Sequence, residues 1–206
     1  MKLYDISVLI SEDMTVYKNY DSKKPIFKNV SNHDEHGHYE TDITLNVHTG
    51  THVDFNLHML KDGSTSSGAK LEDYITECRV IDLTHVEDGI SKEDLLPFDI
   101  QKDSFVLFKT KNSWDDTFNP SFIYLKQDAA AYLSEIGIKG VGIDALGIER
   151  SQEGHPTHKL LMSKNIIILE GIHLKDIDAN TYTLITLPLK LKGLDASPVR
   201  AVLIGE

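Results

Sequence analysis

From Val47 to His58 the chain reads Val47-His48-Thr49-Gly50-Thr51-His52-Val53-Asp54-Phe55-Asn56-Leu57-His58, with every ionisable side chain on an even position. If the β-rich run that begins near Tyr39 continues through this segment, side chains alternate faces, so His48, His52, Asp54 and His58 share one side. Thr49, Thr51, Val53, Phe55 and Leu57 take the other. A helix would have to accept Thr49-Gly50-Thr51 in its interior, a succession of poor helix formers, so extended geometry is expected. At ~3.3 Å per residue a straight strand holds the His48 and His52 backbones about 13 Å apart, the limit at which two imidazoles can meet one ion. A bend is required, and Gly50 permits one. Two imidazoles and the Asp54 carboxylate make a set suited to Zn²⁺, Mn²⁺ or Fe²⁺, with positions left for water and substrate. One such residue in a strand is ordinarily solvated or hydrogen-bonded. Four on one face, opposite apolar neighbours, would be costly to desolvate without a cation, and metal chemistry is the expectation.

Elements must hold these residues in place. Strand signals cover 4–10, 39–47, 79–83, 105–110, 141–144, 166–169, 182–187 and 199–204. Helix signals fall between them: a capping start at Ser91-Lys92-Glu93-Asp94, an Ala-rich stretch over 127–136, and 157–165 after Pro156. The second half alternates helix and strand, while the first is mostly strand and loop. That order predicts an α/β fold, one domain over 1–206, with a mixed β-sheet core and flanking helices.

The chain has 206 residues, with 32 acidic and 21 basic side chains and a formal charge of −11. No basic run exceeds two residues, which speaks against nucleic acid and against an anionic membrane surface. At 40% hydrophobic residues a sizeable core is available, with roughly 70% of the unfolded surface open to burial. The longest aliphatic run, Ile166 to Leu169, is far short of the ~20 residues that cross a bilayer. No targeting segment is visible, and Cys78, the single cysteine, excludes an internal disulfide, so a soluble cytoplasmic protein is expected. Ten histidines beside one cysteine direct metal chemistry toward imidazole and carboxylate ligands.

The motif His-x-Gly-x-His-x-Asp-x-x-x-His from His48 to His58 resembles the cyclase family of metal-dependent hydrolases, which includes bacterial kynurenine formamidases and, as relatives, isatin hydrolases. The family's later pattern, a His before a short helix and a Glu closing the next strand, is matched by His158-Lys159-Leu160-Leu161 and by Ile166-Ile167-Ile168-Leu169-Glu170-Gly171. A C-terminal signature is matched by Leu187-Pro188-Leu189-Lys190 and by Gly193 to Ala201, so the resemblance runs from about residue 3 onward. It implies a cyclase-like fold of the swivelling β/β/α type and a two-metal site, Zn²⁺ before Mn²⁺. By resemblance His48, His52 and Asp54 hold the first ion, Asp54 bridges to the second, and His158 with Glu170 complete it, while His58 is the catalytic acid or base. His155 is an alternative to His158. The implied reaction is hydrolysis of a non-peptide carbon–nitrogen bond, N-formyl-kynurenine to kynurenine and formate, in a homodimer or homotetramer acting on a small-molecule amide.

At the family's substrate-contacting Trp this chain has Tyr17, within Met14-Thr15-Val16-Tyr17-Lys18-Asn19-Tyr20, and the Pro-Gly turn is absent. Tyr17 can still stack on an aryl ring, and a cyclic amide of the isatin type is the alternative substrate. His33, His36 and His38 read as a solvated loop near the site mouth, and His85 and His173 receive no role. Asp195 and Arg200 suit either a structural ion pair or a contact to a neighbouring subunit. Trp114 either lines a pocket or covers the edge of the core. His52-Val53-Asp54 with a distant His also spells a non-haem iron oxygenase triad, although the helix–strand alternation after residue 120 opposes the all-β barrel such enzymes use. A metal-binding protein without catalysis is the third reading.

Overall fold

A computed structural model describes residues 1–205. In chain order the elements are β1 (Lys2–Asp5), β2 (Ile26–Ser31), α1 (His33–His36), β3 (Glu40–Thr44), β4 (His52–Asp54), β5 (Ile75–Asp82), β6 (Gly89–Ile90), α2 (Lys92–Leu95), β7 (Phe105–Lys109), β8 (Tyr124–Leu125), α3 (Gln127–Ile136), β9 (Gly140–Ile143), α4 (Pro156–Ser163), β10 (Ile167–Glu170), β11 (Thr181–Ile185), β12 (Ala196–Pro198) and β13 (Val202–Gly205). Among the described residues nine strands form one sheet in the order β1-β13-β11-β5-β7-β9-β10-β4-β12. Its centre, β5-β7-β9-β10, is parallel, and antiparallel strands flank it on both sides. The α/β class with a mixed sheet and flanking helices is therefore as expected from the alternation.

The central strand β7 shows why this sheet must be covered on both faces. All five of its residues are buried: Val106 and Phe108 enter the core under α3 and α4, and Phe105 and Leu107 enter a second core on the opposite face. A strand with no polar face has nowhere to go but between two layers. The same alternation sends Val53 and Leu169 to the second core and Ile168 to the helix side. His52, Asp54 and Glu170 thus lie on the helix side of the sheet, where α4 packs with Leu161 and Met162. The longest helix, α3, ends at Gly137, whose φ of 76° is the left-handed stop that glycine supplies. Its predicted bounds of 127–136 hold, and so does the capping box of Ser91 and Asp94 at α2.

Several expectations are corrected. The strand beginning near Tyr39 does not run on through His58: β3 ends at Thr44, a turn occupies 45–51, and only His52–Asp54 is extended. Asn46 drives the turn, its side chain accepting from His48 N–H at 2.9 Å and its carbonyl from Thr49 N–H at 2.9 Å. The run 4–10 is a continuous strand only to Asp5, with a single further bridge from Ser7 to Ile172, and 199–204 breaks around Arg200, which forms an ion pair with Asp5. β2 had no counterpart in the sequence reading. With β3 it makes a separate two-stranded ribbon exposed on both faces, so periodicity has no core to betray it. The histidines at 33 and 36 sit in the one-turn α1 joining these strands, and together with His38 they make only local contacts.

Two glycines allow the turn and the sheet to touch beside the site. Gly50 has φ 76° and Gly171, directly after Glu170, has φ 66°; a Cβ on Gly171 would lie 2.5 Å from the Gly50 carbonyl oxygen. Thr51 Oγ donates to the Gly171 carbonyl at 2.5 Å and locks the contact. Gly171→Ala is expected to destabilise the fold by about 1–2 kcal/mol from the left-handed backbone alone, and further through the clash. Urea unfolding would read this as a lowered midpoint at unchanged slope.

Candidate metal centre

Strand register places the first groups. His52 and Asp54 are two residues apart on one face of β4, and His52 lies directly across from Glu170 in the β4–β10 pairing. His158 comes from the first turn of α4, which starts at Pro156, rather than from before the helix. His48 comes from the turn before β4, and His58 from a single 3₁₀ turn, Asn56–His58, after it. The two outer histidines therefore reach the cluster through turns on either side of β4.

The groups interdigitate. Asp54 Oδ1 lies 3.0 Å from His48 Nδ1 and 3.5 Å from His52 Nε2, while its Oδ2 lies 3.8 Å from His158 Nε2. Glu170 does the same in the other direction, Oε2 at 3.3 Å from His52 Nε2 and Oε1 at 3.4 Å from His158 Nε2. Glu170 Oε1 also accepts from the Ile148 N–H at 2.6 Å. Three imidazoles thus surround two carboxylates, and Asp54, His52 and Glu170 are all buried. His58 is stacked at a ring distance of 4.1 Å from His48 and stands 5.6 Å from His158. With a quarter of its side chain exposed it is the most accessible histidine of the group.

The other nitrogens of the His48, His52 and His158 rings point outward to fixed acceptors. His48 Nε2–H donates to Asp195 at 2.8 Å, His52 Nδ1–H to the Gly50 carbonyl at 2.9 Å, and His158 Nδ1–H to Glu149 at 2.9 Å. Each ring is therefore held with its other nitrogen aimed at Asp54 and Glu170, the tautomer that a metal-binding imidazole needs. Among the described residues no hydrogen bond of good geometry reaches His52 Nε2 or either oxygen of Asp54. A buried carboxylate without donors is unfavourable unless a cation compensates it, so the donor set fits a divalent ion. Three triads have ligand atoms within 4.8 Å of one another: His48, Asp54 and His58; His52, Asp54 and Glu170; and, to one side, Glu149, His155 and His158.

Electrostatics without an ion show what a cation would replace. Burial lowers the His52 and His158 imidazoles, but carboxylates outweigh it, Asp54 and Glu170 at His52, Glu149 and Glu170 at His158, and both rise to about 10. Burial and Asp54 would raise Glu170, yet His158 and His52 bring it to about 2, and Asp54 is held well below the usual range against its burial by His48 and His52. His58 moves the other way: burial lowers it, and His48 and His158 add to that against the pull of Asp54. These shifts favour protonated imidazoles beside ionised carboxylates, the balance of charge that a divalent cation would supply instead.

Two participants escaped the sequence reading. Asp195 does not pair with Arg200, which binds Asp5; it lies at 2.8 Å from His48 and 3.5 Å from His58 Nδ1. Glu149 carried no sequence signal, because a loop folds it back onto His158. His155 is more than half exposed and meets Glu149 Oε1 at 3.6 Å, outside the cluster around Asp54. Tyr17 also lies outside that cluster: it packs edge-on against Phe118 and Phe122, and an added Cβ on Gly147 would lie 3.7 Å from its ring. Phe118 and Phe122 line a cavity of about 500 Å³ together with Met14, Leu146 and Ile172. Trp114 is half-exposed beside Lys109 and is absent from the lining of that cavity.

Comparisons with known proteins agree with this architecture. The Cyclase family matches residues 4–150. The kynurenine formamidase of Salinibacter ruber is 32% identical over 206 residues, covering 98% of this chain and 97% of that protein. A solved structure from Bacillus stearothermophilus, described as a predicted metal-dependent hydrolase, superposes with a TM-score of 0.91 at 50% identity, covering 98% of this chain and 97% of the other. Isatin hydrolase A of Labrenzia aggregata, at 23% identity, shares the fold with a TM-score of 0.88 over 100% of this chain and 94% of its own.

Protonation of the metal-free cluster sets a pH dependence. The raised His52 and His158 contribute stability that is fully present below about pH 6.5 and is lost as pH rises through about 10. The lowered carboxylates contribute above an ordinary value of about 4 and lose that as pH falls, through about 2 for Glu170. Melting curves of the metal-free protein should therefore show this contribution greatest at about pH 4.5–6.5 and declining toward pH 10. Uptake of a divalent ion at pH 7 must expel these protons. Calorimetry in buffers of different ionisation enthalpy would reveal the release, and its absence would mean that the ion binds elsewhere.

Proposed function

We propose that this chain, which belongs to the cyclase family of metal-dependent hydrolases, hydrolyses a non-peptide carbon–nitrogen bond, with N-formyl-kynurenine as the first candidate substrate. The observation that carries this reading is the interdigitation of three imidazoles with two buried carboxylates that lack a Lys or Arg partner among the described residues. A formamidase relative of nearly full length supports the formamide substrate. Ring opening of a cyclic amide is the second reading, favoured by the loss of the family's Trp at Tyr17. The oxygenase reading has lost its basis, since a mixed sheet with a parallel centre and flanking helices replaces the all-β barrel it requires.

In this proposal His48, His52 and Asp54 would hold one ion, and His158 and Glu170, together with Asp54, a second. Two Zn²⁺ ions are proposed, with Mn²⁺ as the alternative. When bound, the ions would polarise the scissile carbonyl and lower the pKa of water toward ~7. His58 handles protons. It is neutral near pH 7, because burial and the neighbouring imidazoles lower it, and its partial exposure lets it exchange with solvent. It would receive a proton from the attacking water and return it to the leaving nitrogen, with Asp195 steadying the ring from 3.5 Å. The substrate's aryl group would rest near Tyr17, which packs edge-on with Phe118 and Phe122 at the wall of a cavity of mixed polar and apolar lining.

A homodimer or homotetramer is also proposed. The β2–β3 ribbon exposes Ile26, Phe27, Val30, Tyr39 and Ile43, and an isolated two-stranded ribbon is marginal in water without a partner. A second copy of the chain is the proposed cover, and light scattering coupled to size exclusion would return a monomer mass if this is wrong.

The enzymatic test is direct. Protein stripped by chelation should lose turnover of N-formyl-kynurenine and regain it with Zn²⁺ or Mn²⁺; turnover of isatin alone would select the second reading. His58→Ala should lower kcat about 10²–10⁴-fold with both ions retained. Loss of an ion in that variant, measured by elemental analysis, would place His58 among the ligands instead.

A further inference from the structure

The segment Ile148-Glu149-Arg150, in the loop after β9, touches both groups proposed for the second ion. Ile148 N–H donates to Glu170 Oε1 at 2.6 Å, and Glu149 Oε2 accepts from both the backbone N–H and the Nδ1–H of His158, at 3.0 and 2.9 Å. The segment is itself anchored. Arg150 bonds to the Asp88 and Phe122 carbonyls and pairs with the Asp88 carboxylate, its guanidinium lies 4.6 Å from the Tyr124 ring centre, and Leu125 N–H donates to the Ile148 carbonyl at 2.9 Å.

Glu149 is an expensive residue to keep in this position. Its carboxylate is buried, only 4% exposed, with no Lys or Arg beside it, and Oε1 has no hydrogen-bond partner among the described residues. If the site called only for filling space, an uncharged side chain would serve at lower desolvation cost. Both hydrogen bonds it accepts come from one residue, His158. They fix the ring about its χ angles and keep the proton on Nδ1, leaving Nε2 directed at Asp54 and Glu170.

We infer that Glu149 is a positioning residue for the second ion, acting through His158 and not as a ligand. This rests on the two-ion reading above. The experiment measures the first and second Zn²⁺ dissociation constants by competition with a chromophoric chelator, together with the melting temperature of the metal-free protein. In Glu149→Ala the second ion should bind about 10–100-fold more weakly with the first unchanged. Glu149→Gln should recover part of that loss, since its amide oxygen can still accept from the imidazole N–H. If Glu149→Ala fails to fold, Glu149→Gln decides, with a weakening of about threefold or more still expected for the second ion alone.

Equal affinity for the second ion in these variants would overturn the inference. So would parallel weakening of both ions with a lowered melting temperature, the signature of a purely structural role. A third equivalent of Zn²⁺ in the wild type that disappears in His155→Ala would overturn it differently, by making Glu149 a ligand. Failure of the underlying reading looks distinct: the wild type would take up a single ion, or His158→Ala would keep both.

Discussion

Two carboxylates buried at one end of a β-sheet, balanced by imidazoles and, at Glu170, one backbone N–H, are the constraint on which this molecule turns. Asp54 and Glu170 have no Lys or Arg within reach, and Asp54 receives no well-aligned hydrogen bond among the described residues. An uncompensated carboxylate in such a place would cost several kcal/mol. Either protons on the histidines or a divalent cation must balance it, and the same positions serve both. The cluster is thus at once a stability problem and a metal-binding site.

The rest of the fold can be understood as what holds that arrangement open. β10 and β4 pair so that His52 faces Glu170, and β12 covers the free edge of β4, with Ala196 opposite Asp54. Gly50 and Gly171 let the turn before β4 close against the end of β10 without side chains between them. Outside the cluster, Asp195, the Gly50 carbonyl and Glu149 each take one ring nitrogen and orient the other inward. Rigidity of this kind shortens the list of conformations that must be paid for when an ion binds. The two cores on either face of β7 supply the stiffness behind it.

Much of the architecture was legible in the chain. Helix α3 and strands β7, β9, β10 and β11 were placed within two residues at each end, because buried elements carry strong apolar periodicity and clear stops. The β2–β3 ribbon was half missed for the converse reason: it buries almost nothing, so its residues need not alternate. The extended reading of 39–58 failed in its length but held locally at His52–Asp54. An alternation of side chains cannot reveal a turn when Asn46 and Gly50 bend the backbone between residues that still converge on one point.

The sequence by itself determined the chemistry available: which side chains could bind an ion, that a glycine had to bend the chain between His48 and His52, and that Glu170 closes an aliphatic strand. Residue types and short spacings encode such things because alternation and backbone permissiveness act over a few residues. What only the tertiary structure decided is which groups face one another across hundreds of possible pairings. Asp195 meets His48 and His58 from a distant turn, Arg200 turns away to Asp5, and Glu149 folds back onto His158. Those contacts depend on sheet register and loop closure, whose energies are spread over the whole core, and no local pattern of residues records them.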